Sequence, residues 1–165
     1  MSVAVPLTAA HPVGGFDCGS AGQSRWLVEQ ALLQQRAGRC RVYVVPGAQR
    51  VVGYYALAAG SVAPASVPRR LARDRARFRH PVLMVTRLGV DRSVRRTGLG
   101  RALVADALHR IAAAAEPTGI RAALLRCDSI AARDFYLHLA AFEPSPTNPM
   151  HLLLSVKDLH LALRR

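Results

Sequence analysis

The chain has 165 residues, a hydrophobic fraction of 51% and a formal net charge of +13, the size of one ordinary domain able to bury a core without disulfide or metal staples. The apolar content excludes a disordered chain, and no apolar run reaches the roughly 18 residues of a membrane span. The amino terminus, Met1-Ser2-Val3-Ala4-Val5-Pro6, lacks the basic segment and apolar block of a secretory signal, so a single cytoplasmic domain over residues 1–165 is expected.

Helical and extended signals alternate along the chain. The first helix is predicted from about Ser24 to Arg36, with Trp26, Leu27, Ala31, Leu32 and Gln35 on one mixed face and Gly38 as its stop. Two β-branched and aromatic stretches, 41–45 and 51–57, flank the turn residues Pro46-Gly47-Ala48-Gln49 and read as an antiparallel hairpin. Residues 66 to 79 read as a short helix capped by Ser66, in which Val67, Leu71 and Phe78 share a face crowded by arginines. A long extended run follows from Val82 to Val90, then an Arg/Gly loop, then a helix carrying Leu99, Leu103, Leu108, Ile111 and Ala115 that should end at Pro117. Residues 120–126 read as a strand, 130–139 as a helix with Phe135 and Tyr136, and Pro144 to Pro149 as turns before a last strand, 150–156, and a basic tail. Early hairpin-length loops and one clear strand-helix-strand crossover predict a mixed α/β fold, a predominantly antiparallel twisted sheet flanked by helices.

Cys18, Cys40 and Cys127 are far apart, with no CxxC and no histidine at ligand spacing, so neither a disulfide framework nor a zinc site is expected. All basic residues but Lys157 are arginine, whose planar fork of donors suits phosphate. A GC-rich genome also inflates arginine, but it does not account for the net charge, which points to an anionic partner.

A strand-to-helix loop with glycines gathers backbone N–H groups at the positive end of a helix dipole and so makes an anion site. Arg95-Arg96-Thr97-Gly98-Leu99-Gly100 has that place. It lacks the Gly-Lys-Ser/Thr of a P-loop, and the further glycine and downstream acidic residue of a dinucleotide fingerprint. It does match Arg/Gln-x-x-Gly-x-Gly/Ala. Preceded by Leu88-Gly89-Val90-Asp91 and followed by an amphipathic helix, it resembles motif A of the GNAT N-acetyltransferases. The resemblance implies acetyl-CoA as acetyl donor and no metal. The CoA pyrophosphate would lie on Arg95, Arg96, Thr97, Gly98, Leu99, Gly100 and Arg101, and the pantetheine beside Leu88, Gly89 and Val90.

Ala132-x-x-Phe135-Tyr136 followed by Phe142 resembles the helix on the CoA side of the same family. What that implies is a general acid at Tyr136, protonating the CoA thiolate as it leaves; a phenol with a pKa near ~10 stays protonated at neutral pH. In this reading Phe135 fills the core while Tyr136 points away. Ala141-Phe142 stands where many members have Gly-Phe, and Ser129 where many have Asn.

Arg25-Trp26-Leu27, the stretch 51–57, Arg87 to Ser93, and Phe142 to Pro149 together look like the toxin branch of GNAT enzymes found in type II toxin-antitoxin pairs. The resemblance implies acetylation of the α-amino group of aminoacyl-tRNA, arrest of translation, a ribbon-helix-helix antitoxin and a homodimer. Arg69, Arg70, Arg73, Arg75, Arg77 and Arg79 are the first candidates to meet the phosphates of tRNA, with Arg25, Arg36, Arg39, Arg41 and Arg92 behind them. Two other readings stay open: a GNAT enzyme acting on a small-molecule amine or a protein amino terminus, and a GNAT-like module that binds nucleic acid without catalysis. No carboxylate stands out as a general base, and the six histidines form no constellation.

Overall fold

A computed structural model describes residues 3–72 and 78–164. In chain order the elements are β1 (Val5–Pro6), α1 (Ala21–Arg25), a π-helical turn (Trp26–Gln30), α2 (Ala31–Arg36), β2 (Arg41–Pro46), β3 (Val51–Val62) and a 3-10 turn (Pro64–Ser66). Then come α3 (Arg69–Ala72), β4 (His80–Val90), a second 3-10 turn (Arg92–Val94), α4 (Leu99–Thr118), β5 (Ala122–Arg126), α5 (Ile130–Leu139), β6 (Glu143–Ser145), β7 (Asn148–Ser155) and α6 (Val156–Leu163). The strands follow the order β1-β2-β3-β4-β5-β7-β6. β4 and β5 run parallel, whereas β1-β2, β2-β3, β5-β7 and β6-β7 are antiparallel. The parallel pair is the one joined by a long helical crossover, as strand direction requires, so the expected mixed, mostly antiparallel architecture is present. No described helix is long and apolar enough to cross a membrane.

The residues pack as two compact units, one comprising residues up to 58 with 86–107, the other 59–85 with 108 onward. In the first, Leu27 and Ala31 seal against Val42 and Val44 of β2 and Tyr54 and Ala56 of β3, in a cluster with Leu7 and Phe16. β2 alternates buried and open positions, the period-2 signature by which it was read. The helix predicted from Ser24 starts earlier, at Ala21, because the Ser20 side chain accepts from the Gln23 N–H and caps it. It also carries a π turn, in which the Ala31 N–H donates to the Trp26 carbonyl. From the last turn of α2, the Gln35 amide donates to the Leu7 carbonyl at 2.9 Å and accepts from the Val42 N–H at 2.8 Å, tying the helix to β2.

In the second unit, Val82, Ala122, Leu124 and Leu153 form a cluster with Val62, Leu71 and Met84 packed on it. The predicted helix from Ser66 is not formed as expected. Val67 precedes Pro68 and is extended, φ −99° and ψ 130°, since a proline disfavours the α region for the residue before it. Ser66 instead closes a 3-10 turn and hydrogen-bonds Thr147 at 2.7 Å, and α3 begins at Arg69. Phe78 is 68% exposed and shares no buried face with Val67; residues 73–77 lie outside the described residues.

Two further boundaries differ. α4 continues through Pro117 to Thr118 and stops at Gly119, φ +73°. Close to a C-terminus the lost N–H is one bond only, and the Thr118 hydroxyl donates to the Ala114 carbonyl. The expected basic tail is α6, capped by Ser155, whose hydroxyl accepts from the Asp158 N–H at 3.1 Å, and anchored by the fully buried Leu159. Of the segment 144–149, expected as turns, only Pro146 and Thr147 form the turn of the β6-β7 hairpin; Pro144 and Ser145 end β6 and Asn148 and Pro149 open β7, with Ser145 opposite Asn148.

Candidate active site

The loop that resembles motif A hangs from one buried carboxylate. Asp91, 1% exposed, ends β4 and donates its own N–H to the Val52 carbonyl at 2.8 Å. Its Oδ1 accepts from the Ser93 N–H at 3.0 Å, the Ser93 hydroxyl at 2.8 Å and Arg50 Nη2 at 3.1 Å. Its Oδ2 accepts from the Asp17 N–H at 3.0 Å and Arg50 Nε at 3.2 Å. Burial alone would raise this carboxyl; the bonds from Arg50, Asp17 and Ser93 outweigh it and hold Asp91 well below the usual carboxylate range. Asp91, Arg50 and Asp17 were missed as site residues. The Asp-x-Ser capping pattern was visible, but the two distant partners were not.

Past Asp91 the chain turns through Arg92–Val94 and enters the loop. Arg95, though exposed, folds back on the chain: its guanidinium donates to the Cys18 carbonyl at 2.8 Å, and its N–H to the Arg92 carbonyl at 3.4 Å. Gly19, φ +87°, is the floor under it, because a Cβ there would stand 2.2 Å from Arg95 Nη2. Arg95 therefore ties the loop to residues 18–19. Arg96 has a positive φ of 61° and Gly98 one of 86°; a Cβ at Gly98 would meet nothing within 4 Å, so this glycine serves backbone conformation, not close packing.

The first main-chain bond of α4 runs from the Ala102 N–H to the Gly98 carbonyl, 3.1 Å. The N–H groups of Leu99, Gly100 and Arg101 thus precede any intrahelical partner, at the positive end of a 20-residue helix. Arg96, Thr97, Gly98 and Arg101 are exposed around them. Gly53 of β3 lets this helix start sit close, since a Cβ there would be 3.2 Å from Leu99 and Leu103. Such an end accepts a phosphate, and the residues present fit a pyrophosphate. Upstream, Leu88 and Val90 are half-buried and Gly89 is buried, where a Cβ would press on Cys18 and Tyr54 at 3.1–3.2 Å.

In the second unit, Ser129 caps α5 by accepting from the Ala132 N–H at 3.0 Å. Of the aromatic pair it is Tyr136 that is buried, 5% exposed, while Phe135 is 39% exposed. That reverses the expected orientation: Ala132, Tyr136 and Leu139 lie on the inner side, spaced as one helix face. Burial pushes the Tyr136 hydroxyl above its ordinary value, with Cys127 and Asp128 adding to the effect. It stays protonated at neutral pH, as an acid must. The Cys127 thiol is itself pushed up to about 11 by burial.

The arginine candidates divide. Arg70 reaches Glu143 at 2.6 Å and Asp158 at 2.7 Å, so its charge is answered within the protein. Arg79 donates to the Ser61 hydroxyl at 2.7 Å and carbonyl at 2.9 Å. Arg92 stands 3.5 Å from Asp17. Arg69 is exposed, as are Arg25, Arg36, Arg39 and Arg41; Arg73, Arg75 and Arg77 lie outside the described residues.

A model of the acetyltransferase (GNAT) family matches residues 17–142. A tRNA-acetylating toxin of Mycobacterium tuberculosis is 41% identical over 152 residues, 92% of this chain and 90% of that protein. The structure of AtaT complexed with acetyl-methionyl-tRNAfMet superposes with a TM-score of 0.86 at 26% identity, covering 96% of both chains. A tyrosine-to-phenylalanine variant of AtaT, bound to the C-terminus of the antitoxin AtaR and acetyl-CoA, gives 0.83 at 26% identity, covering 98% of this chain and 97% of that one. With the family model matching residues 17–142, most of the sequence, this chain belongs to the GNAT family of acetyltransferases.

Proposed function

We propose that the chain transfers the acetyl group of acetyl-CoA to the α-amino group of an aminoacyl-tRNA, as the toxin of a toxin-antitoxin pair. The observation that carries this reading is the 41% identity to a tRNA-acetylating toxin along 92% of the chain. The net charge of +13 supports an RNA acceptor independently, since a row of phosphates rewards exposed arginine.

Acetyl-CoA supplies a thioester whose acetyl carbon is open to a neutral amine. The chain's own residues do the rest. Leu99, Gly100 and Arg101 offer N–H groups to the pyrophosphate, Arg96 adds charge, and Asp91 with Arg50 holds the loop in shape. The end of β4, Leu88 to Val90, orients the pantetheine and the thioester carbonyl, and Tyr136 gives its proton to the sulfur as the C–S bond breaks.

An antitoxin of the ribbon-helix-helix type, a homodimer and a single functional domain over 1–165 belong to the same proposal. The structure of AtaT bound to the C-terminus of the antitoxin AtaR supports an antitoxin partner, and a family match running through both packing units supports the single domain. The assay is incubation with labelled acetyl-CoA and charged tRNA, beside uncharged tRNA and free amino acids. Label on the charged tRNA alone is expected; label confined to small amines or protein would refute the reading. Growth arrest on expression of the wild type, absent with Tyr136→Phe, is the cellular counterpart.

A further inference from the structure

A cavity of about 410 Å³ opens in the second unit, with Met84 of β4 and Leu124 of β5 as its apolar floor. Its wall includes Ser145, Thr147 and Asn148 at the β6-β7 turn, and His151 of β7. The size is that of a small-molecule or ligand-end site, apolar below with a few convergent polar groups above. The charged residues lining it are Arg79 and Arg126, and no carboxylate lines it among the described residues. Such a chamber suits an ester-linked aminoacyl end beside a ribose phosphate, and any proton released inside it has one neutral base to go to.

We propose that His151 is the base that takes the proton from the α-amino group as it is acetylated, within this cavity as the acceptor pocket. The inference rests on the acceptor reading given above. His151 lies directly opposite Arg126 in the β5-β7 ladder, so both side chains leave the same face of the sheet. Its tautomer is set by a short chain of bonds. The Asn148 Oδ1 accepts from the Met150 N–H at 3.0 Å, which turns Asn148 Nδ2 toward His151 Nε2, 3.3 Å away. The lone pair is therefore on Nε2, held by a long neutral contact that an N–H of the incoming neutral amine can replace. Burial and the charge of Arg126 lower the His151 pKa, which keeps the ring neutral before the acceptor arrives.

The balance is complete without a further reactant. The nitrogen–carbon bond forms and the carbon–sulfur bond breaks; the nitrogen's proton goes to His151 Nε2, and the sulfur takes the Tyr136 proton. A weak base is adequate, because the nitrogen becomes more acidic as its lone pair turns into the new bond. Repulsion from Arg126 then returns the proton from His151 to water, and Tyr136, whose raised pKa favours the phenol, regains a proton from water, readying both groups for the next turnover.

Transfer from acetyl-CoA to charged bulk tRNA, followed as kcat/KM against pH, tests this. His151→Gln is expected to lose about 10²-fold in kcat/KM, with acetyl-CoA affinity and thermal midpoint unchanged, and added imidazole should restore part of the rate of His151→Ala. Arg126→Gln removes the charge that disfavours the imidazolium, so its acid limb should move to higher pH. Undiminished kcat/KM in His151→Gln overturns the proposal, and so does a loss that imidazole leaves unrepaired and that leaves the acid limb in place. Should the His151 variants fail to fold, Arg126→Gln decides alone, an unmoved acid limb counting against the base. If the wild type puts no label on charged tRNA, the acceptor reading falls first and takes this inference with it; label with the wild type but not the variants separates the two.

Discussion

Replacing Asp91 by Asn keeps the shape of the side chain and removes its charge, which isolates what the carboxylate does for the loop. The two oxygens of Asp91 accept five bonds, from Ser93, Arg50 and the Asp17 N–H. The amide of Asn offers one acceptor oxygen and turns an NH2 group against donors on the other side. Breaking a buried ion pair by removing one partner costs about 3–5 kcal/mol, and the Arg50 side chain, 35% exposed, finds water in part, so the lower end, about 3 kcal/mol, applies. For a chain of this length that is roughly 6–12 °C in Tm. Urea unfolding followed by circular dichroism measures the loss, and calorimetry with acetyl-CoA should show at least about tenfold weaker binding as the 92–95 turn loosens. The pH dependence has a definite sign. Since the folded-state pKa is depressed, the stabilisation is present in full above the unfolded carboxylate value of about 4 and is lost as pH falls toward the folded one. Asp91→Asn should therefore narrow its deficit in acid. A stability loss under about 1 kcal/mol, or a deficit that does not shrink in acid, would refute the anchoring role.

Tyr136→Phe should lower kcat by about 10²-fold or more while acetyl-CoA binds as before, read by transfer kinetics and calorimetry; an unchanged kcat removes Tyr136 from the chemistry. Gly98→Ala puts a Cβ on a residue at φ +86° in open space, so about 1 kcal/mol of backbone strain is expected in the folded state and in acetyl-CoA affinity, with no gain of contact to offset it. The Cys127 thiol, pushed up to about 11, should react with iodoacetamide much more slowly than an ordinary free thiol at mildly alkaline pH, with mass spectrometry of the 127-containing peptide as the readout; fast labelling would show that the site opens.

Local signals were legible where the chain's own neighbours decide the outcome. The helix 130–139 has the predicted bounds because Ser129 caps it and its apolar spacing is helical. The hairpin of β2 and β3 and the parallel β4-β5 crossover follow from turn residues and loop length. What escaped was decided by distant partners. Nothing near Asp91 names Arg50, 41 residues away, as its counter-ion. On α5, Ile130 and Phe135 are exposed although apolar, so hydrophobicity did not say which aromatic turned inward. At Ser66, a capping residue is overruled by Pro68 two places on, whose ring sets Val67 extended.

The π turn at Trp26–Gln30 places a constraint on chain length. An extra residue in a helical turn offsets the faces on either side by about 100°. Ahead of it, Gln23 receives the Tyr54 hydroxyl at 2.7 Å and an Arg87 N–H at 3.1 Å, and at its first residue Trp26 stacks on Tyr54 under the Arg87 guanidinium. Behind it, Ala31 faces the core. The two stretches keep different phases, and one surplus residue is what reconciles them. Deleting a single residue between Trp26 and Gln30 would yield a more regular helix and a worse protein: either the polar knot around Gln23 or the contact at Ala31 would be out of step. Length here, more than residue identity, is the quantity under constraint.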